Sequence, residues 1–227
     1  MVTDLRQLRN IQRKVAAQAS AKDVIDTSQV KTIAGFDIAF YDDKIVCAAV
    51  ILDAKTMKIL ESKTSVSAAP LQYIPAYLAF REGPAIMQTY YSLELEPDII
   101  MIDGHGMAHP LKCGLATYVG VELEKPTIGV AKKLLIGDVK DDKIVAGPET
   151  IGMTVITKEY ARPVYVSVGH NISIDSAAKI IKQCIIFPHK MPEPLHQAHK
   201  LANQIAEKHR ATEQKEEKKI IVEEQNE

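Results

Sequence analysis

The sequence predicts an α/β fold, a mixed sheet of three antiparallel strands followed by parallel strands, flanked by helices. Three observations carry this. Three apolar runs follow one another across short polar breaks. Two later runs, DIIMID and TIGVA, are apolar nearly throughout, as strands buried on both faces must be. Between and around them lie stretches with helical spacing.

Taken in order, residues 3–19 place Leu5, Leu8, Ile11, Val15 and Ala19 on one stripe, which predicts an amphipathic helix with its arginines outward. TIAGFDIAF at 32–40, IVCAAVIL at 45–52 and KILESKTSV at 58–66 read as strands. Asp42-Asp43 and Asp53-Ala54-Lys55 are turn chemistry, so these three form a meander. Pro84, behind Gly83, is read as the start of a helix running to about Leu95. DIIMID at 98–103 is a buried strand, Pro110 opens a second helix to Glu124, and TIGVA at 127–131 is another strand. Residues 138–168 hold further short strands, and helices are expected at about 174–184 and 194–208. With no linker or repeat in view, residues 1–210 form one domain and 211–227 a polar, charged tail without a sustained apolar face.

The chain has 227 residues, enough for one sizeable core. No apolar run is long enough to span a membrane, and the N-terminus lacks a secretory pattern. A cytoplasmic protein is therefore expected, and, with no coiled-coil stripe, a monomer. Cys47, Cys113 and Cys184 form no CxxC pair, which leaves reduced, buried thiols. The net charge of −1 gives no global signature of nucleic-acid binding, so phosphate contacts must come from local patches.

Three carboxylates stand out. Asp37 interrupts an apolar strand, where alternation sets it with Ala39, opposite Phe36, Ile38 and Phe40. A buried aspartate there needs compensation; an exposed or arginine-paired one is the alternative. Asp103 ends a buried strand and is followed by Gly-His-Gly, a common place for an active-site carboxylate, though also for a turn residue. Glu82 is read as standing just ahead of its helix, where the dipole stabilises it with or without a function. Together the three offer oxygen ligands suited to Mg²⁺ or Mn²⁺, and a pair of such ions would hold a phosphodiester for in-line attack by water. Lys132, at the end of TIGVA, could neutralise the phosphate or orient the water.

The chain resembles the endonuclease V family, a branch of the ribonuclease H-like superfamily. The resemblance rests on IAGFD at 33–37, YIPAYLAFREGP at 73–84, DGHGMAHP at 103–110 and PTIGVAK at 126–132, with YVSVGH at 165–170 and PEPLHQAH at 192–199 following in order. It implies a ribonuclease H-like sheet, and a metal site on Asp37, Glu82 and Asp103 with Mg²⁺ as cofactor (Mn²⁺ also serving). It adds an active-site lysine at Lys132, a nearby histidine at His199, and a wedge of Tyr73, Ile74 and Pro75. A pocket for an extruded hypoxanthine would be formed around Leu78, Gly104, His109 and Leu115. The implied partner is DNA containing inosine (RNA for some relatives), cut at the second phosphodiester 3′ to the lesion to leave 3′-hydroxyl and 5′-phosphate ends, as a step in DNA repair. Gln72, Leu111-Lys112, Thr117-Tyr118 and Val168 depart from the family pattern and bear on binding rather than on chemistry. A non-cleaving lesion-binding module and an RNA-directed nuclease remain open as readings.

Overall fold

A computed structural model describes residues 4–224, with side chains to Glu213. Strands β1 (Thr32–Tyr41), β2 (Lys44–Asp53) and β3 (Ile59–Ala68) form the expected antiparallel meander. Its first turn is the two-residue Asp42-Asp43 loop, with Asp42 at φ 50°, a conformation aspartate tolerates. Strands β4 (Ile99–Asp103) and β5 (Thr127–Ala131) join parallel to β1. Beyond them lie β6 (Asp138–Lys140), β7 (Lys143–Ala146), β8 (Glu149–Val155) and β9 (Val164–His170). One nine-stranded sheet results, in the order β3-β2-β1-β4-β5-β9-β8-β7-β6. Because β9 runs antiparallel to β5, the parallel part comprises only β1, β4 and β5.

Helices cover both faces. On one face α2 (Leu78–Tyr90) and α3 (Leu115–Glu122) pack over Ala34, Phe36, Ile100 and Ile102. On the other, α4 (Ile174–Gln183) and the start of α5 (Glu193–Glu224) cover Ile33, Met101, Ile128 and Val130, and Ala202 and Ala206 continue the α5 seam over Ala39 and Val46. The alternation read for β1 therefore holds, with Phe36 on one face and Ala39 on the other. Helix α1 (Leu5–Gln18), capped by Asp4, lays Val15 against Cys113 and Val121 and keeps Arg6, Arg9, Arg13 and Lys14 exposed. Its buried Gln12 donates to the Ala76 carbonyl at 2.7 Å and to that of Cys113 at 3.4 Å. All three cysteines are buried and free, and burial pushes each thiol up to about 12, as expected of inert core residues.

Helix boundaries differ from the sequence reading in three places. Helix α2 begins at Leu78, not Pro84, and ends at Tyr90, short of Leu95. Pro84 thus sits inside a helix, where it forfeits one backbone bond that the packing of Ala85 and Ile86 offsets. Glu82 consequently stands within the helix and not ahead of it. Helix α3 begins at Leu115 behind Gly114, and Pro110 belongs to the turn where Lys112 N–H donates to His109. At the far end the α5 backbone runs helical to Glu224, over most of the segment expected as a tail. Among the described residues, no helix is long and apolar enough to cross a membrane.

Candidate active site

The site lies at the carboxyl ends of the parallel strands. Phe36 pairs with Ile102, so one further step of register sets Asp37 beside Asp103. Asp103 pairs with Val130, two residues before Lys132. Helix α2 brings Glu82 from the other face, and α5 brings His199 over β1. Asp37 and Glu82 are each 8% exposed.

Like charges share little water here, which raises the cost of ionising Asp37 and Glu82. Burial first, and then the charges of Asp37 and Asp103, push the Glu82 carboxyl up to about 8. Burial and the Asp103 charge raise Asp37 as well, against the Ile38 N–H and the His199 bond that favour its ionised form. His199 Nδ1 lies 2.6 Å from Asp37 Oδ2, and Lys132 Nζ lies 2.6 Å from Asp103 Oδ2. For Lys132, burial pulls the ammonium down, but the charge and hydrogen bond of Asp103, with the Asp37 charge, turn the net shift upward. Among the described residues, no three His, Cys, Asp or Glu side chains are gathered tightly enough to chelate an ion as they stand. Asp37 and Asp103 are instead turned onto His199 and Lys132.

Beside the carboxylates a cavity of about 290 Å³ opens, with Tyr73, Leu78, His105, His109, Leu115 and Lys133 among its walls. Two larger clefts, about 440 and 410 Å³, lie apart from the carboxylates, the first along α4 and the second beside the Lys112–Glu149 ion pair. Tyr73 is 67% exposed at the mouth of the smaller cavity, on a loop with Ala76 at φ 66°. Ile74 accepts from Tyr77 N–H, which tightens that loop, and Pro75 is exposed. Gly104 lies beneath Leu115, whose side chain stands 3.3 Å from where a Cβ would be, so its part is to let the floor lie close. Of the expected pocket residues, Tyr73, Leu78, His109 and Leu115 line the cavity, while Ile74, Pro75 and Gly104 are not among its walls. Sequence reasoning did not single out Ala76, Cys113 or Lys133. Their signal was adjacency to YIP, to AHP and to Lys132.

The sequence and the fold have known counterparts. The profile of the Endonuclease V family matches residues 10–200. The chain belongs to the endonuclease V family. An endonuclease V of Archaeoglobus fulgidus is 35% identical over 207 residues, which cover 89% of this chain and 93% of that one. The crystal structure of the Streptomyces avermitilis endonuclease V superposes with TM-score 0.85 at 29% identity, covering 91% of this chain and 95% of the other. That of Ciona intestinalis endonuclease V, in complex with a 24mer DNA containing an inosine followed by a ribo-adenosine, superposes with TM-score 0.83 at 28% identity, covering 90% and 98%. By this membership the chain is a nuclease with the family's mixed sheet.

Proposed function

We propose that this endonuclease V recognises inosine in a nucleic-acid strand. It hydrolyses the second phosphodiester bond on the 3′ side of the lesion, leaves 3′-hydroxyl and 5′-phosphate ends, and so opens the repair of deaminated adenine. The observation that carries the reading is the juxtaposition of Asp37, Glu82, Asp103, Lys132 and His199 with a one-base cavity. The cavity's volume falls at the lower end for small-molecule sites, and its walls are mostly apolar.

The donor set fits a hard divalent cation. It offers carboxylate oxygens and no thiolate, and a cation would offset the burial and the Asp37 and Asp103 charges that together hold Glu82 near 8. Asp37, Glu82 and Asp103 would hold Mg²⁺ or Mn²⁺. When bound, the ion polarises the phosphate and lowers the pKa of water in its shell. Lys132 leaves its bond to Asp103 to lie against the phosphate, where its charge is best used as charge develops on the oxygens. With Nδ1–H donated to Asp37, His199 keeps Nε2 to hold or take a proton at the attacking water. Tyr73, half out of the surface between Gln72 and Ile74, fills the space a displaced base leaves in the stack.

One observation favours a second substrate. The ligand of the Ciona relative carries a ribonucleotide directly after its inosine, so RNA or a mixed strand is the alternative to DNA. A module that binds the lesion without cutting is disfavoured by the complete carboxylate set. End-labelled DNA and RNA oligonucleotides, each with one inosine, test these readings in Mg²⁺ and in EDTA. Metal-dependent cutting at the second 3′ bond is expected, with the faster strand naming the substrate. Asp103→Asn is expected to bind the strand and not cut it; full activity in that variant would overturn the assignment. Size-exclusion chromatography, expected to give one monomeric peak, checks the oligomeric state.

A further inference from the structure

We propose that the arginine face of α1 is a track for the phosphodiester backbone of the nucleic acid flanking the lesion, set in fixed relation to the Tyr73 wedge. This rests on the reading above that the partner is a nucleic acid, and adds to it a surface outside both the cavity and the carboxylates.

Helix α1 holds Arg6, Arg9, Arg13 and Lys14 and no acid of its own. All four are exposed, and among the described residues none of them makes an ion pair. A solvated helix face ordinarily intersperses both signs. Here the charges work against the helix that carries them. Arg6 stands in the first turn, where the dipole favours an acid, and the last turn has no base. Arg6 with Arg9, and Arg9 with Arg13, are like-charged neighbours at i,i+3 and i,i+4, which repel. Only the Asp4 cap, which accepts from the Arg6 and Gln7 N–H groups, offsets this from within the fold. An anion from outside would offset the rest.

The stripe also has a defined place. Gln12, 1% exposed, donates its amide to the carbonyls of Ala76 and Cys113, two residues that wall the cavity. The Ala76 carbonyl faces His109 Nε2 as well, at 3.0 Å, so α1, the wedge loop and the turn after β4 meet at one atom. With about 3.6 residues per turn, Arg9, Arg13 and Arg6 follow at about 60°, 100° and 120° round the helix from Gln12. Val15, on the other side of Gln12, packs on Cys113 and Val121. The arginines therefore emerge on the flank that borders the wedge loop and not on the one that enters the core.

The chemistry of the stripe suits phosphates. Each guanidinium fork can pair with two phosphate oxygens at once. From Arg6 to Arg13 the helix rises about 10 Å, close to three nucleotide steps along one strand of a duplex. An open, convex helix face reads backbone charge and position, not base identity. With a net charge of −1 the whole protein has no general attraction to a polyanion, and a local surface of this kind supplies it.

The test compares wild type with the triple variant Arg6→Gln, Arg9→Gln, Arg13→Gln on fluorescein-labelled DNA duplexes that carry one inosine or one adenosine. Binding is read by anisotropy in EDTA from about 50 to 200 mM salt, the range in which phosphate contacts are lost. The slope of log affinity against log salt is expected to become shallower by about 2–3, near 0.9 for each contact removed. Affinity near 0.1 M salt is expected to fall roughly 10- to 100-fold, by the same factor for both duplexes. Glutamine keeps the helix propensity and lifts the repulsion, so Tm is expected to hold or rise. The control removes the same charge at Lys31, Lys55 and Lys58, exposed together where β1 begins and β2 ends, and is expected to leave the slope as it was. An unchanged slope in the arginine variant marks a merely solvated face and overturns the inference. An equal change in the control marks net charge alone and overturns it too, as does a Tm several degrees lower, which marks the arginines as part of the fold. Wild-type protein that binds neither duplex overturns the functional reading itself, and the track with it.

Discussion

Replacing Gly35 by alanine adds one methyl group where β1 and α5 touch backbone to backbone. The new Cβ would stand 2.1 Å from the Pro194 carbonyl oxygen, 2.2 Å from its carbon and 2.8 Å from Leu195 N, against 3.4 Å or more for ordinary contact. None of these atoms is the free end of a side chain, so the first turn of α5 must lift by more than 1 Å. Leu195, Ala198 and Ala202, all at most 1% exposed, would lift with it. The expected loss is about 1–3 kcal/mol, the usual cost of overpacking. For a chain of this size that lowers Tm by roughly 3–10 °C. The same lift carries the 2.6 Å His199–Asp37 contact past hydrogen-bonding range. Misplacement on this scale costs on the order of 100-fold in rate. Thermal unfolding and nicking of an inosine strand, measured together, check both figures. Gly147→Ala is the control: nothing stands within 4 Å of its Cβ, so only the strain of φ +60° is added, and nicking is expected to hold. A Gly35→Ala protein with Tm within a degree of wild type and undiminished nicking would refute the argument that β1 and α5 meet without slack.

Three more outcomes are expected. Glu82 has a folded pKa near 8 against an ordinary 4.5, so its folded form holds a proton that the unfolded chain gives up. Metal-free protein should therefore be most stable below about pH 4.5 with respect to this group and lose a few kcal/mol as pH rises through 8. Saturating Mg²⁺ should flatten that part of the Tm profile, and a metal-free profile with no such fall contradicts the burial argument. Tyr73→Ala should leave Tm within about 2 °C, because the ring is exposed, yet weaken strand binding about 5- to 100-fold, the worth of one stacking platform; anisotropy decides. Lys132→Met should keep strand binding within a few-fold and cut the single-turnover rate on the order of 100-fold or more. An equal loss in both would move Lys132 from the reacting phosphate to the binding surface.

The strands were the most legible part of the molecule. Strand period, turn aspartates and unbroken apolar runs are local signals, and β1–β5 fell where these put them. The misreadings were at prolines. Pro84 and Pro110 look alike in sequence, each beside a candidate helix, yet one lies inside α2 and the other in a turn ahead of α3. What separates them is the packing of Ala85 and Ile86 under the sheet, which no local pattern shows. The carboxylates were legible one by one, as an aspartate within an apolar strand and another at a strand's end. Their convergence with Glu82 was expected as well, although the helix that carries it begins six residues earlier than the sequence reading put it. Of the two histidines in GHGMAHP, the sequence reading placed only His109 in the base pocket; the structure sets both residues in the cavity lining and gives His109 a partner at each ring nitrogen.

The contact between His199 and Asp37 spans 162 residues. At the ordinary pace of synthesis, about 5–20 residues per second, roughly 8–30 s pass between the appearance of the two. Through that interval β1 has Gly35 uncovered and Asp37 lacks its histidine, and by its last 67 residues all three carboxylates and Lys132 are already made. The nascent chain therefore carries its acids on the ribosome, among phosphodiesters, without the helix that completes them. On the proposed roles, docking of α5 is what brings His199 to acids made earlier in the chain.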